Sequence, residues 1–125
     1  MGDDRVRILL IDSDGPVRRD LAGALELAGC SVVAEAAVPA CPDDIGRLDV
    51  ALVDVGSGSD GWAHATSVRR VMPGLDVVVM SVDRGDRDHG LALGFAWFVE
   101  KPFGLGELVE VLRGVVGDRM RIPAI

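Results

Sequence analysis

The sequence predicts a single α/β domain in which a five-stranded parallel sheet is covered by helices on both faces. Short apolar runs, most of them rich in β-branched residues, alternate along the chain with segments whose apolar residues recur every three or four positions. Parallel strands require a crossover between them, and a helix usually supplies it. The chain has 125 residues, of which 49% are apolar, so it is long enough to bury one core without disulfides or metals.

Five apolar runs are predicted as strands. Four of them are rich in valine and isoleucine, as buried parallel strands usually are. The runs occupy residues 6–11, 31–35, 49–55, 75–80 and 95–100.

The segments between these runs are predicted as helices. In the first, Val17, Leu21 and Leu25 recur at helical spacing, with Pro16 near its start and Gly29 at its end. The sequence "PDDIGRL" has room for a short helix of one or two turns. The other three helices are predicted at 61–72, around 85–93 (short and interrupted by Gly90) and at 105–116, the last being strongly amphipathic.

Composition excludes several classes of protein. The net charge of −7 argues against nucleic-acid binding, which needs clustered Lys and Arg. No apolar run approaches the roughly 18 residues of a membrane span, and the acidic N-terminal sequence is unlike a secretory signal, so we expect a cytoplasmic protein. Cys30 and Cys41 flank the predicted strand 31–35 at its opposite ends, too far apart for a disulfide. We therefore expect two buried or half-buried thiols.

Polar side chains with complementary chemistry follow the predicted strands. Because the carboxyl ends of parallel strands share one edge, and ligands bind there where the strand order reverses, these side chains should lie together. Converging carboxylates need a cation, and oxygen ligands without His or Cys favour Mg²⁺. A pocket that combines these carboxylates and Mg²⁺ with an ammonium and a hydroxyl suits phosphoryl transfer. Its members are Asp12, Ser13 and Asp14 after the first strand, Asp54 ending the third, Ser81 after the fourth and Lys101 after the fifth.

Four motifs in order, "ILLIDSD" with an arginine downstream, "DVALVD" with Asp-Gly downstream, "VVVMS" and "EKPF", resemble the receiver domain of two-component response regulators. The resemblance covers about residues 5–116, and Lys101-Pro102 is its most specific part. It implies a doubly wound, flavodoxin-like (βα)5 domain with strand order 2-1-3-4-5. The receiver domain would occupy residues 1–117, leaving 118–125 as a tail or the start of a linker.

The same resemblance assigns roles. Asp54 is expected to accept a phosphoryl group from a sensor histidine kinase or phosphotransfer protein. Mg²⁺ is expected on Asp12, Asp54 and the Gly56 carbonyl, with Ser13 or Asp14 as a further candidate. Ser81 and Lys101 would contact the phosphoryl group. Phe98 would act with Ser81 as a switch that alters a face made by the fourth helix, fifth strand and fifth helix, through which two copies of the chain could pair.

The sequence also departs from the receiver pattern. Ser13 stands where the family has a second acidic metal ligand, so Mg²⁺ should bind weakly. The loop "VGSGSDG" after Asp54 has glycines and serines and lacks the usual proline, and the segment from Ser81 to Lys101 is about two residues short. These changes leave open a receiver that binds partners without phosphorylation. Because Asp54, Ser81 and Lys101 are all present, we favour a receiver that is phosphorylated and has no enzymatic activity beyond self-phosphorylation and self-dephosphorylation.

A second resemblance starts from "ILLIDSDGPV", which is similar to the first motif of haloacid-dehalogenase-type phosphatases. It implies that Asp12 is a nucleophile and Asp14 a general acid, with Ser81 and Lys101 in the second and third motifs. The chain is short for that family, however, and lacks its acidic metal-binding motif after the lysine. Asp54 would also have no role, so the receiver interpretation is preferred.

Overall fold

The structure is a computed structural model that describes residues 5–56 and 60–117. The tail predicted at 118–125 lies outside the described residues. The described part contains strands β1 (Arg7–Ile11), β2 (Ser31–Glu35), β3 (Val50–Asp54), β4 (Asp76–Ser81) and β5 (Trp97–Glu100), and helices α1 (Gly15–Leu27), α2 (Asp60–Val71), α3 (Gly85–Ala92) and α4 (Leu105–Val116), with a 3-10 turn at Pro42–Ile45.

All five strands pair in parallel in the order β2-β1-β3-β4-β5, which confirms the predicted fold class and strand order. Ile11 at the end of β1 pairs with Val53 of β3. The chain runs from β1 outward to β2 and then returns past β1 to β3, so the strand order reverses between β1 and β3. Residues that follow these two strands therefore meet at one edge of the sheet.

The sheet has an apolar core on each face because successive side chains of a strand point in opposite directions. Ile8 and Leu10 pack with α1 and α4 on one face. Leu9 and Ile11 pack on the other face with residues of α2. All four side chains are fully buried, as expected for strands covered by helices on both sides.

The second crossover has no α-helix, only the single 3-10 turn at Pro42–Ile45. Pro39 and Pro42 cannot donate backbone hydrogen bonds. Gly46 has a φ of +83°, which takes the chain out of the helical region immediately after the turn. The predicted one or two turns are thus confirmed at their lower limit.

The prediction that Gly90 interrupts the third α-helix is wrong. Residues 85–92 form one continuous helix, α3, and Gly90 is its buried residue. The helix has eight residues, so the expected curtailment is confirmed. The following strand starts at Trp97 rather than at Phe95, although Phe95 is buried in the core.

Both cysteines are free thiols. Cys30 is buried in the core, and burial raises the pKa of its thiol. Cys41 is exposed, so the expectation that both thiols would be at least half-buried is wrong for Cys41, which lies in the irregular segment before the 3-10 turn. Within residues 5–56 and 60–117, each helix is too short or too polar to cross a membrane.

Candidate functional site

Two carboxylates and one ammonium meet at the edge of the sheet where the strand order reverses. Asp12 directly follows β1, and Asp54 is the last residue of β3. The Lys101 ammonium lies 3.4 Å from Oδ2 of Asp12 and 3.2 Å from Oδ1 of Asp54. The side chains of Asp12 and Asp54 are 0% and 8% exposed, and that of Lys101 is 22% exposed. With both carboxylates ionised, the three groups carry one net negative charge in a largely desolvated pocket.

Asp12 is held on three sides. Its backbone N–H donates to the carbonyl of Glu35 at 3.1 Å, which extends the pairing of β1 with β2 by one residue. Its Oδ1 accepts a hydrogen bond from the Asp14 N–H at 2.9 Å, and its carbonyl accepts one from the guanidinium of Arg18 at 2.6 Å. These contacts leave Oδ2 directed at Lys101, so the carboxylate is positioned before any ligand arrives.

The two other candidates in this loop are placed differently. Asp14 is the N-cap of α1, where its Oδ1 accepts a hydrogen bond from the Val17 N–H at 3.2 Å. A capping carboxylate satisfies a helix donor that would otherwise be unpaired. Ser13 and Asp14 are both exposed, whereas Asp12 is buried. The structure therefore brings only Asp12 of the three into the pocket with Asp54.

Gly56 lies against Asp54 through its own backbone. Its N–H donates to Oδ1 of Asp54 at 3.1 Å, so this oxygen receives both the Gly56 N–H and the Lys101 ammonium. A Cβ at position 56 would lie 3.2 Å from Val82 and 3.3 Å from Asp54 Oδ1, which makes the close approach easiest for glycine. The next three residues of the loop, 57–59, lie outside the described residues.

The donor set fits Mg²⁺ that keeps much of its water. In the described ranges, no three His, Cys, Asp or Glu side chains are grouped as metal ligands. Mg²⁺ nevertheless binds in many sites through one or two carboxylates and several waters, and Asp12 and Asp54 supply two. Ser13 is neutral and exposed, so it adds no negative charge to the two carboxylates. Weak binding of Mg²⁺ remains a prediction.

Ser81 and Phe98 lie on the neighbouring strands β4 and β5. Ser81 is 4% exposed, and its carbonyl accepts a hydrogen bond from the Lys101 N–H at 2.6 Å. This bond continues the β4–β5 pairing up to the lysine, and the peptide that follows, Lys101-Pro102, is cis. Phe98 is half-buried. A cavity of about 240 Å³ is lined by both Ser81 and Phe98, so free volume borders both side chains.

Sequence reasoning missed three features of this region. The sequence indicates only an arginine downstream of the first motif, whereas Arg18 donates a hydrogen bond to the Asp12 carbonyl. Gly90 was interpreted as a helix interruption, whereas it contacts Phe98. Lys101 is also the only lysine of the chain, all other members of its 13 Lys and Arg residues being arginines. That last signal was available in the sequence.

Solved structures identify the class to which this fold belongs. Those with the same fold include response regulator receiver domains, so the receiver-like fold implied by the sequence motifs is confirmed. A receiver protein from Burkholderia phymatum has a TM-score of 0.77 at 21% identity, with 96% of this chain and 100% of that chain covered. A CheY-like receiver domain protein from Methanospirillum hungatei has a TM-score of 0.75 at 19% identity, covering 92% and 96%.

Among curated proteins, the chain is similar to the phosphate regulon transcriptional regulatory protein PhoB of Pseudomonas aeruginosa. The two are 30% identical over 120 residues, which cover 87% of this chain and 51% of PhoB. The chain thus spans about half the length of this relative. No protein-family model matches the sequence.

Proposed function

We propose that this chain is a phosphoacceptor domain that receives a phosphoryl group on Asp54 from a sensor histidine kinase or a phosphotransfer protein. The observation that carries the proposal is the contact of one ammonium with two buried carboxylates, Asp12 and Asp54, at the carboxyl edge of the sheet. Such a pocket combines a nucleophile with the positive charge that a transferred phosphoryl group requires.

In the proposed reaction, a carboxylate oxygen of Asp54 attacks the phosphorus of a phosphohistidine. An O–P bond forms and the P–N bond breaks, so that the electron pair of that bond leaves with the imidazole. Lys101 and the Gly56 N–H both contact Oδ1, and we therefore assign Oδ2 as the attacking oxygen. Mg²⁺ bound at Asp12 and Asp54 would neutralise charge on the phosphoryl oxygens.

The new group adds negative charge beside Asp12, and the chain's own donors respond to it. Lys101 gains a charge-assisted partner in the phosphoryl oxygens, and the Ser81 hydroxyl gains one by moving towards the pocket. Movement of Ser81 enlarges the space next to Phe98. The ring then changes its packing and alters the face formed by α3, β5 and α4, which are the fourth helix, fifth strand and fifth helix of the sequence prediction. This change is a population shift biased by a local charge.

We propose this α3-β5-α4 face as the output surface, with a second copy of the chain as its partner. Leu91 of α3 and Trp97 of β5 are exposed, as is Leu93 directly after α3, and exposed apolar side chains grouped on a surface mark sites of contact between proteins. The net charge of −7 agrees with that choice. The pairing is tested by light scattering at increasing concentration. The average mass should rise towards that of a dimer for the parent chain and should rise less for Trp97→Ala. A cytoplasmic location, where the proposed phosphodonor acts, is part of the same proposal.

The proposal is tested by intact mass spectrometry after incubation with phosphoramidate, with and without Mg²⁺, beside Asp54→Asn. This donor carries no acetyl group, so a gain in mass cannot come from acylation of Lys101. We expect a Mg²⁺-dependent gain of one phosphoryl group that Asp54→Asn abolishes without loss of fold. Labelling of folded Asp54→Asn refutes the assignment.

A phosphorylation-independent binding module is the second candidate. The neutral side chain of Ser13 favours it, because the receiver pattern has an acidic metal ligand at this position. A folded sample that gains no mass at any Mg²⁺ concentration supports this candidate. The phosphatase alternative predicts turnover of a phosphate monoester that depends on Asp12. Its proposed acid, Asp14, is instead the cap of α1.

A further inference from the structure

Gly90 packs against the side chains of two aromatic residues. A Cβ built at this position would lie 2.5 Å from Cε1 and 2.8 Å from Cζ of Phe98, and 2.8 Å from Cη2 of Trp62. Non-bonded carbon atoms do not approach each other this closely, so any side chain at position 90 forces the rings to move. The edge of the Phe98 ring therefore lies in a slot that exists because residue 90 has no side chain. We call this slot, formed by Gly90 and Trp62, the Phe98 seat.

The Phe98 ring also borders free volume. The ring lines the cavity of about 240 Å³ that it shares with Ser81. Arg87 of α3 covers the ring there, with its guanidinium carbon 5.7 Å from the ring centroid. Phe98 thus borders both a tight seat on α3 and a cavity that Ser81 also lines, which is the arrangement needed for two alternative positions of one ring.

We infer that Gly90 is a positioning residue that holds Phe98 in its seat and so sets the balance between the two packings of the output face. This inference rests on the proposed function for its regulatory part. When Ser81 moves towards a phosphoryl group, the cavity grows and Phe98 leaves the seat for it. A side chain at position 90 closes the seat, so it pushes the ring in the same direction without phosphorylation.

Helix propensity gives the opposite expectation, which makes the inference testable. Glycine inside a helix is less favourable than alanine, so Gly90→Ala would stabilise α3 if nothing lay against it. Gly23 in α1 provides the matched control, because a Cβ at that position meets no atom within 4 Å. We expect the urea midpoint to rise for Gly23→Ala and to fall for Gly90→Ala.

A double-mutant cycle assigns the fall to Phe98. In a Phe98→Ala background, Gly90→Ala should lower the midpoint less than in the parent, because only the Trp62 contact remains to be displaced. If Gly90→Ala alone does not fold, Phe98→Ala should restore folding. An equal effect in both backgrounds, or an unfolded Gly90→Ala that Phe98→Ala does not rescue, overturns the seat.

The regulatory part is measured by the rate at which phosphoramidate labels Asp54. We expect labelling to proceed from the packing that phosphorylation favours, so that the rate is proportional to the population of this packing. A substitution that raises the population should raise the rate, by about 5-fold or more for a coupling of ordinary size. Gly90→Ala should label faster than Gly23→Ala by such a factor. Equal rates overturn the regulatory part. If the parent chain does not label, the proposed function fails, and the stability cycle still decides whether the seat exists.

Discussion

Replacing Lys101 by methionine removes the ammonium that contacts both Asp12 and Asp54 and keeps a side chain of similar length. The two carboxylates are 0% and 8% exposed, so water solvates them poorly after the change. Burying charges without partners is costly, and the two like charges also repel each other. We therefore expect Lys101→Met to lower the free energy of unfolding.

The magnitude follows from the two distances. At an effective dielectric constant near 20, an ion pair at 3.2–3.4 Å is attractive by about 5 kcal/mol. Desolvation of the ammonium offsets several kcal/mol of this attraction, and breaking one buried pair costs about 3–5 kcal/mol in practice. Because Lys101 is 22% exposed, water replaces part of the lost interaction. We expect a loss of about 2–3 kcal/mol, which most domains of this size tolerate.

Urea unfolding followed by circular dichroism measures this loss, with Lys101→Arg as the variant that keeps the charge. A sharper check is the sign of the change in the free energy of unfolding that a second substitution causes. In the Lys101→Met background, Asp12→Asn removes only repulsion from Asp54 and should stabilise the fold. In the parent chain the same change also removes attraction to Lys101, and its effect should be less favourable by at least about 1 kcal/mol. If Lys101→Met is as stable as the parent and the effects of the two substitutions add, the ammonium does not compensate the carboxylates.

Three further changes separate roles within the same domain. Ser13→Asp adds a carboxylate next to Asp12 and should tighten Mg²⁺ binding in a calorimetric titration about tenfold, which corresponds to about 1.4 kcal/mol; unchanged affinity would show that position 13 does not reach the metal. Asp14→Ala should lower the free energy of unfolding by about 1 kcal/mol through loss of the helix cap, whereas Asp14→Asn should keep the cap and the stability. Neither variant should change the affinity for Mg²⁺. A loss of affinity in both would make Asp14 a metal ligand. Burial raises the pKa of the Cys30 thiol, so the unfolded chain loses this proton first, and stability should fall as the pH rises through about 8.5. Cys30→Ala should remove that slope, whereas the exposed Cys41 should react first with a disulfide reagent at neutral pH.

The strands and their ends could be predicted from the sequence because they depend on local pattern. The run "DVALVD" is apolar up to Asp54, and the register of a parallel sheet then brings its end beside Asp12. The meeting of Asp12, Asp54 and Lys101 followed from topology alone, because all three lie at carboxyl ends of strands in one sheet.

The rest depends on contacts between distant residues, which a local pattern does not contain. Glycine is a poor helix former, and on that ground the sequence predicts an interruption at Gly90. The structure keeps the helix because the missing side chain leaves space for Phe98, eight positions later and on a strand. Likewise, the exposure of Ser13 depends on how the loop leaves β1, and the hydrogen bond from Asp14 to Asp12 fixes that path.

The single lysine of the chain also has a practical consequence. An amine-selective reagent meets only one lysine in this protein, and that side chain lies inside the pocket rather than on the outer surface. Mass mapping of peptides separates its acylation from that of the α-amino group. The acylation rate of Lys101 therefore reports on the pocket. The ammonium is protected while it pairs with the two carboxylates, a cation that takes its place at Asp12 and Asp54 releases it, and a phosphoryl group on Asp54 keeps it paired. The occupancy of the site can thus be followed at one atom by mass, in the unmodified sequence and without a fluorescent label.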